Sequence, residues 1–294
     1  MRILFINEVC GTGSTGKITC ELAEKYEREG HDVRVAYGRN DNVPEKYKHF
    51  AVRIGSMLDV YIHALMTRLT DRHGFYSGHA TRKFLRWAEE YNPDFLWLHN
   101  IHGYFLNYQV LFDYLSSENI PIVWTLHDCW AFTGHCSHFN FIGCNKWKTG
   151  CYNCPGLNVY PKSLFVDHSK ANYELKKQLF SSVADRLTLI PVSEWIAGFV
   201  KESFLSGSAI KTIHNGIDID TFSPCETSVL KEKLGIKSEV VVLGVASPWT
   251  PTKGPGDWKR LWELLPHDKF KLIMIGLNKH QLEKLPKGMI GVGH

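Results

Sequence analysis

The chain has 294 residues, 44% of them hydrophobic and 22% charged, with a formal net charge of +4. That length is long for one hydrophobic core, so two domains are expected, and that composition excludes a disordered chain. So small a net charge does not argue for a nucleic-acid partner, and none is expected.

The amino-terminal MRILFIN reads as a short strand, without the apolar length or cleavage site of a secretion signal. No run approaches the ~18 apolar residues of a membrane span. A cytoplasmic protein is expected. In that compartment clustered cysteines point to metal or reduced thiols before disulfides.

Arg2 to Asn7 is a buried strand by length and apolarity, followed by a polar glycine loop over Gly11–Gly16. Lys17 to Glu29 has helical spacing, with Ile18, Leu22 and Tyr26 on one face and Gly30 as its stop. His31 to Tyr37 gives the next strand, which completes a βαβ unit with a parallel pair. The glycine loop has three readings. Gly11-x4-Gly16-Lys17 matches most of a P-loop, but Ile18 stands where Ser or Thr would hold magnesium. Gly11, Gly13 and Gly16 have dinucleotide-fingerprint spacing, but no acidic residue closes the second strand. The third reading is a turn kept small so that another group can approach.

Met57 to Tyr91 is helical in two pieces, carrying Arg68, Arg72, Arg82, Lys83 and Arg86. A basic, aromatic-rich helical pair suits anionic lipid headgroups, but the sequence alone favours the plainer reading, a solvated helix face. Strand Phe95–Leu98 ends in His99-Asn-Ile-His102, helix Asn107–Ser117 follows, and strand Ile120–Leu126 ends in His127-Asp128. Polar groups at the carboxyl ends of buried strands mark the ligand edge of an open α/β sheet. Lys162 to Ser182 is expected as one long helix, Leu187–Val192 as a strand, Ser193 as the cap of a helix, and Ile210–Ile213 as a short strand. Alternating β and α predict a doubly wound domain over residues 1–214. His214-Asn-Gly reads as the hinge into a second α/β domain, 215–294, with strands at Val240–Val245 and Phe270–Ile275 and a third at Met289–Val292.

Between these strands lies a cysteine-rich loop, 129–154, holding five of the eight cysteines. Cys136, Cys144, Cys151 and Cys154 offer four thiolates, two of them in a CxxC with the bite tetrahedral zinc prefers. A structural zinc would tie down a loop with no core of its own. Two disulfides or unligated thiols are the alternatives, with His135 and His138 as substitute ligands. Cys129 reads as a small buried residue, and Cys10, Cys20 and Cys225 as isolated ones.

In order and spacing, the glycine loop, LHNIHG (98–103), WTLHDCWAFTGHC (124–136), KWKTGCYNCP (146–155), PVSEW (191–195), HNGIDIDTF (214–222) and GVASPWTPTKG (244–254) resemble the retaining glycosyltransferases of family four. The nearest branch is that of bacterial surface-polysaccharide assembly. The resemblance implies the GT-B fold, two Rossmann-like domains, the second incomplete here. It implies a UDP- or GDP-linked sugar donor, a saccharide or lipid-linked saccharide acceptor, no cofactor for catalysis, and peripheral contact with the inner face of the cell membrane. Gly13, Ser14, Thr15 and Gly16 would lie near the donor diphosphate and acceptor. His127 would face the transferred sugar, with His99 and His102 on the same edge. Lys253 would neutralise the leaving diphosphate, and Asn215-Gly216 would begin the crossing into the donor domain. Two departures stand out. No arginine occurs between Arg186 and Lys253, where the family pairs one with the lysine. Nothing after Gly276 matches the family's glutamate pair, so a fragment, or a truncated and inactive acceptor- or partner-binding remnant, is the alternative. A nucleoside triphosphatase using Lys17 is a third reading.

Overall fold

The computed structural model describes residues 1–293, and the chain divides into two compact units, Met1–Gly216 and Ile217–His294. Unit 1 is one seven-stranded parallel sheet in the order β3-β2-β1-β4-β5-β6-β7. Its strands are β1 (Arg2–Ile6), β2 (Asp32–Tyr37), β3 (Ala51–Arg53), β4 (Phe95–Leu98), β5 (Ile122–Leu126), β6 (Leu187–Pro191) and β7 (Ala209–Ile210). Its helices are α1 (Gly13–Arg28), α2 (Met57–Thr70), α3 (Gly78–Tyr91), α4 (Tyr108–Ser117), α5 (Ser169–Ser181) and α6 (Glu194–Glu202). The strand order reverses between β1 and β4, which makes that gap the topological switch point.

The central strands are continuous apolar runs because both sheet faces are covered. Alternation sorts their side chains: Ile3 and Phe5 of β1 pack with Val33, Val35, Cys20, Ala23 and Phe50, while Leu4 and Ile6 face the larger cluster around Leu98, Trp124 and Phe112. Phe180 of α5 closes that second cluster, its ring centroid 4.5 Å from Phe112, 5.0 Å from Trp124 and 5.6 Å from Tyr108.

Several elements differ from the sequence reading, among them the last strand of unit 1, expected over Ile210–Ile213 and observed at Ala209–Ile210. The first helix begins at Gly13 and not at Lys17, so Gly13–Gly16 form its first turn. The helix expected from Lys162 begins only at Ser169, and Leu164 and Phe165 are exposed. Asp167 sets that start by accepting from the Ser169 N–H at 2.9 Å. β3 is an additional short edge strand whose burial pattern carries no alternation.

Residues 127–168 connect β5 to α5 with only single helical turns at Trp130–Phe132, Asn140–Ile142 and Lys146–Lys148. The sequence gives this loop no core, yet it has one. Phe139 stacks on Trp147 at 4.8 Å, Phe132 meets Trp147 at 5.4 Å, and Phe199 of α6 covers both Phe139 and Trp147.

Unit 2 is a three-stranded parallel sheet, β10-β9-β8, built from β8 (Val240–Val245), β9 (Phe270–Leu277) and β10 (Ile290–Gly293) with α7 (Ser228–Lys233), α8 (Pro255–Leu264) and α9 (Lys279–Glu283). Its core is Trp249, Trp262, Leu272, Met274, Leu277 and Met289.

Phe180→Ala is expected to lower the stability of unit 1 by about 3–5 kcal/mol, because an aromatic ring is deleted from a closed site. Urea unfolding of the wild type and variant measures it.

Candidate functional site

The carboxyl ends of β1, β4 and β5 converge at the switch point. β1 continues into Asn7, which is fully buried and whose Oδ1 accepts from the Asn100 N–H at 3.1 Å. His99 follows β4 and His127 follows β5. The two imidazoles meet through His99 Nδ1 and His127 Nε2, 3.0 Å apart, with rings nearly parallel at 5.3 Å. His99 is sandwiched: Trp97 stacks on it at 6.1 Å, and its carbonyl accepts from Trp124 Nε1 at 2.9 Å. Burial pushes the His127 pKa down to about 4 and lowers that of His99 well below the ordinary range, so both rings are neutral near pH 7.

Three residues beyond His99 and one beyond His127, the electrostatics reverse. His102 Nε2 lies 2.9 Å from Asp128 Oδ2, and its Nδ1 lies 3.3 Å from the Tyr160 hydroxyl. Burial alone would lower the His102 pKa, but the Asp128 charge and hydrogen bond outweigh it and raise the value. Burial alone would raise the Asp128 pKa. The His102 charge and hydrogen bond, with the Trp130 N–H on its other oxygen, carry it down instead. His99, Asn100, His102, Thr125, His127 and Asp128 line a common cavity of about 10 Å³, the room of one water.

A second layer was not visible in the sequence as a site. His73 packs its ring against His102, Trp130 and Tyr160 at 5.5–6.0 Å. Lys176 of α5 is 1% exposed, donates to the carbonyls of Trp130 at 2.7 Å and Thr133 at 3.0 Å, and lies over the Trp130 ring. Burial drives its pKa well below the ordinary lysine range. Asp71 caps α2 with φ +53° and binds His135 Nδ1 at 2.5 Å, with both side chains 1% exposed. The available signal was periodicity: Lys176 shares the helix face of Tyr173, Leu179 and Phe180.

The glycine turn sits between β1 and α1. Gly11 has φ +69°, and a Cβ there would fall 2.6 Å from Tyr47; a Cβ on Gly16 would fall 2.9 Å from Val9. Ser14 and Thr15 stand in the first turn of α1, and Lys17 is exposed beyond it. Because Gly13–Gly16 are helical, the turn does not have the extended glycine run of a P-loop. Asn215 and Gly216 are exposed at the end of unit 1. Lys253 belongs to unit 2, exposed on the single turn Pro251–Lys253 that leads into the amino terminus of α8.

The zinc expectation for Cys136, Cys144, Cys151 and Cys154 is corrected. The four do line one small cavity with His135, but no group of three or more His, Cys, Asp or Glu among the described residues is placed to hold a metal ion. Three of the sulfurs have other partners. Cys136 and Cys154 share a hydrogen bond that raises the first thiol and lowers the second to about 7, and Cys151 Sγ accepts from the Gly134 N–H at 3.1 Å. The loop's aromatic core removes the need for a metal to order it. Cys10 and Cys20 are not isolated either; their sulfurs are 3.4 Å apart in the core.

Residues 15–221 match the sequence profile described as Glycosyltransferase Family 4. The chain belongs to that family. A curated relative is WcaC of Escherichia coli (strain K12), named for colanic acid biosynthesis glycosyl transfer, 29% identical over 236 residues covering 75% of this chain and 56% of that protein. The family 4 chain thus spans little more than half the length of that relative. Anabaena HepE, solved in complex with UDP-glucose, superposes with a TM-score of 0.55 at 15% identity over 100% of this chain and 69% of that one. Sucrose-phosphate synthase of Thermosynechococcus elongatus gives 0.60 at 12% identity, over 100% and 70%. These likenesses establish the GT-B fold class with its Rossmann-like domains.

The raised His102 and lowered Asp128 values define a pH window. The His102 contribution is complete below its ordinary 6.5 and is lost as pH rises through the raised value; the Asp128 contribution is present above its ordinary 3.8 and is lost as pH falls through the lowered one. Asp128→Asn is expected to cost about 3–5 kcal/mol between these limits, with the gap to wild type narrowing in alkali. Unfolding measured from pH 3 to about pH 9 checks it.

Proposed function

We propose that this chain takes part in retaining transfer of a hexose from a UDP- or GDP-linked donor to a saccharide or lipid-linked saccharide in surface-polysaccharide assembly. The observation that carries the reading is the neutral His127 at the switch-point edge of a family 4 domain. His99 occupies its Nε2, and no hydrogen bond to its Nδ1 is made among the described residues. With His99 donating, His127 holds its proton on Nδ1 and offers a neutral donor to a sugar hydroxyl. His99 is then a positioning residue, and the His102–Asp128 pair fixes the adjoining strand end.

In this reading unit 1 is the acceptor side. Gly13–Gly16 keep the start of α1 free of bulk so that the diphosphate and acceptor approach its unpaired N–H groups. Unit 2 is the donor side, entered through Asn215-Gly216. Lys253 stands at the amino terminus of α8, where the ammonium and the helix dipole together favour a departing diphosphate. That pair of positive ends supplies the charge stabilisation, so the reading calls for no catalytic metal. No helix among the described residues is long and apolar enough to cross a membrane. The reading puts the chain at the inner face of the membrane, where nucleotide-linked donor and lipid-linked acceptor meet. WcaC and HepE support the reading by family and fold; UDP-glucose is HepE's ligand.

The test is calorimetric titration with UDP- and GDP-hexoses, followed by transfer to a lipid-linked saccharide. Lys253→Ala and His127→Ala are each expected to lower kcat by about 10²–10³-fold. A chain that binds neither donor class at millimolar concentration overturns the proposal.

A further inference from the structure

α2 is built inside out. Its buried face carries Val60, His63 and Thr67, while Leu58, Tyr61, Ile62, Leu65 and Leu69 are exposed. The exposed set falls at i, i+3, i+4, i+7 and i+11, which is one continuous stripe along the helix. The orientation is fixed from the buried side. His63 Nδ1 pairs with Ser77 Oγ at 2.9 Å, and His63 Nε2 accepts from the Gly74 N–H at 3.0 Å. Rolling the helix to hide its leucines would break both contacts and strand the Gly74 N–H.

A second segment extends the stripe. The Leu164 N–H donates to the Arg68 carbonyl at 2.8 Å, so the loop tip Leu164-Phe165 lies beside the end of α2. Phe165 is 79% exposed. Two separate stretches of chain thus present large apolar groups on one surface, the kind of patch that marks an interaction site.

The charges around it select the occupant. Arg68 beside the stripe and Lys162 beside the loop tip are exposed, and neither has an ion-pair partner among the described residues. The nearby acids are committed: Asp59 closes the α2 capping box with Ser56, and Asp167 accepts from the Cys154 and Ser169 N–H groups. Apolar side chains flanked by two unpaired cations match an anionic bilayer, where the stripe enters the acyl boundary and the cations meet headgroups. A second copy docked through the same patch would set those cations against one another.

We propose that the α2 stripe and the Leu164-Phe165 tip form the face by which this chain docks on anionic lipid. The inference rests on the peripheral-contact reading above and assigns it a surface. The test uses the full chain and vesicles of phosphatidylcholine with about a third phosphatidylglycerol, or phosphatidylcholine alone, in flotation at low salt. Wild type is expected to float with the anionic vesicles. A variant carrying Ile62→Glu, Leu65→Glu and Phe165→Glu is expected to bind about tenfold or more weakly with an unchanged melting temperature. In a separate Phe165→Trp variant the introduced indole should shift its emission to the blue on adding vesicles. Equal flotation of the triple variant overturns the surface but leaves peripheral contact standing. No flotation of wild type at low salt overturns both. A wild-type dimer that the triple variant abolishes, with the blue shift following protein concentration and not lipid, overturns the proposal in favour of a second copy.

Discussion

Everything at the candidate site depends on how a forty-residue stretch with almost no regular structure is held against the sheet. Residues 127–168 cannot be held by a ladder of backbone hydrogen bonds, so buried side chains do that work. Lys176 reaches from α5 to the carbonyls of Trp130 and Thr133 and so pins both ends of the first turn of the loop. Burial disfavours its ammonium form and lowers its pKa. From the other side Asp71 holds His135 through Oδ1 and the His168 N–H through Oδ2, while its own carbonyl accepts from Asn172. An aspartate at φ +53° persists only where the surroundings over-determine it, and these three contacts do so.

The same edge presents two histidine pairs in opposite states, and the cause is local. His99 and His127 hydrogen-bond each other, and burial outweighs the pull of the Asp128 charge on His127, so both rings stay neutral. His102 has Asp128 within 2.9 Å, which is enough to outweigh the same burial. A ligand reaching the ends of β4 and β5 therefore meets a neutral hydrogen-bonding ring beside a self-compensated ion pair, and no net charge.

The sequence was informative where neighbours along the chain decide the outcome. Strand runs, helix periods and the polar strand ends at His99 and His127 follow from local pattern, and the parallel sheet follows from their alternation. It was silent where partners are far apart. Asp71 and His135 are 64 residues distant, and nothing local distinguishes that aspartate from a solvated one. The long helix expected from Lys162 failed because Leu164 and Phe165 fit the helical period but serve the surface. The cysteines suggested a metal because spacing alone cannot show that Phe132, Phe139, Trp147 and Phe199 already give their loop a core.

α2 shows why amphipathic pattern does not by itself say which face is buried. Five apolar side chains on its stripe would ordinarily point inward. Contacts made by one imidazole, His63, and by the Asp71 cap turn them outward. Asp71 ends α2 in a left-handed residue, and its other contacts anchor the Cys-rich loop and the start of α5. The chain just before α5 is thereby brought to the end of α2, where Leu164 bonds the Arg68 carbonyl. One buried carboxylate thus fixes both the loop that follows His127 and the two halves of the exposed apolar face. That carboxylate is 1% exposed and cannot shift without unpairing His135.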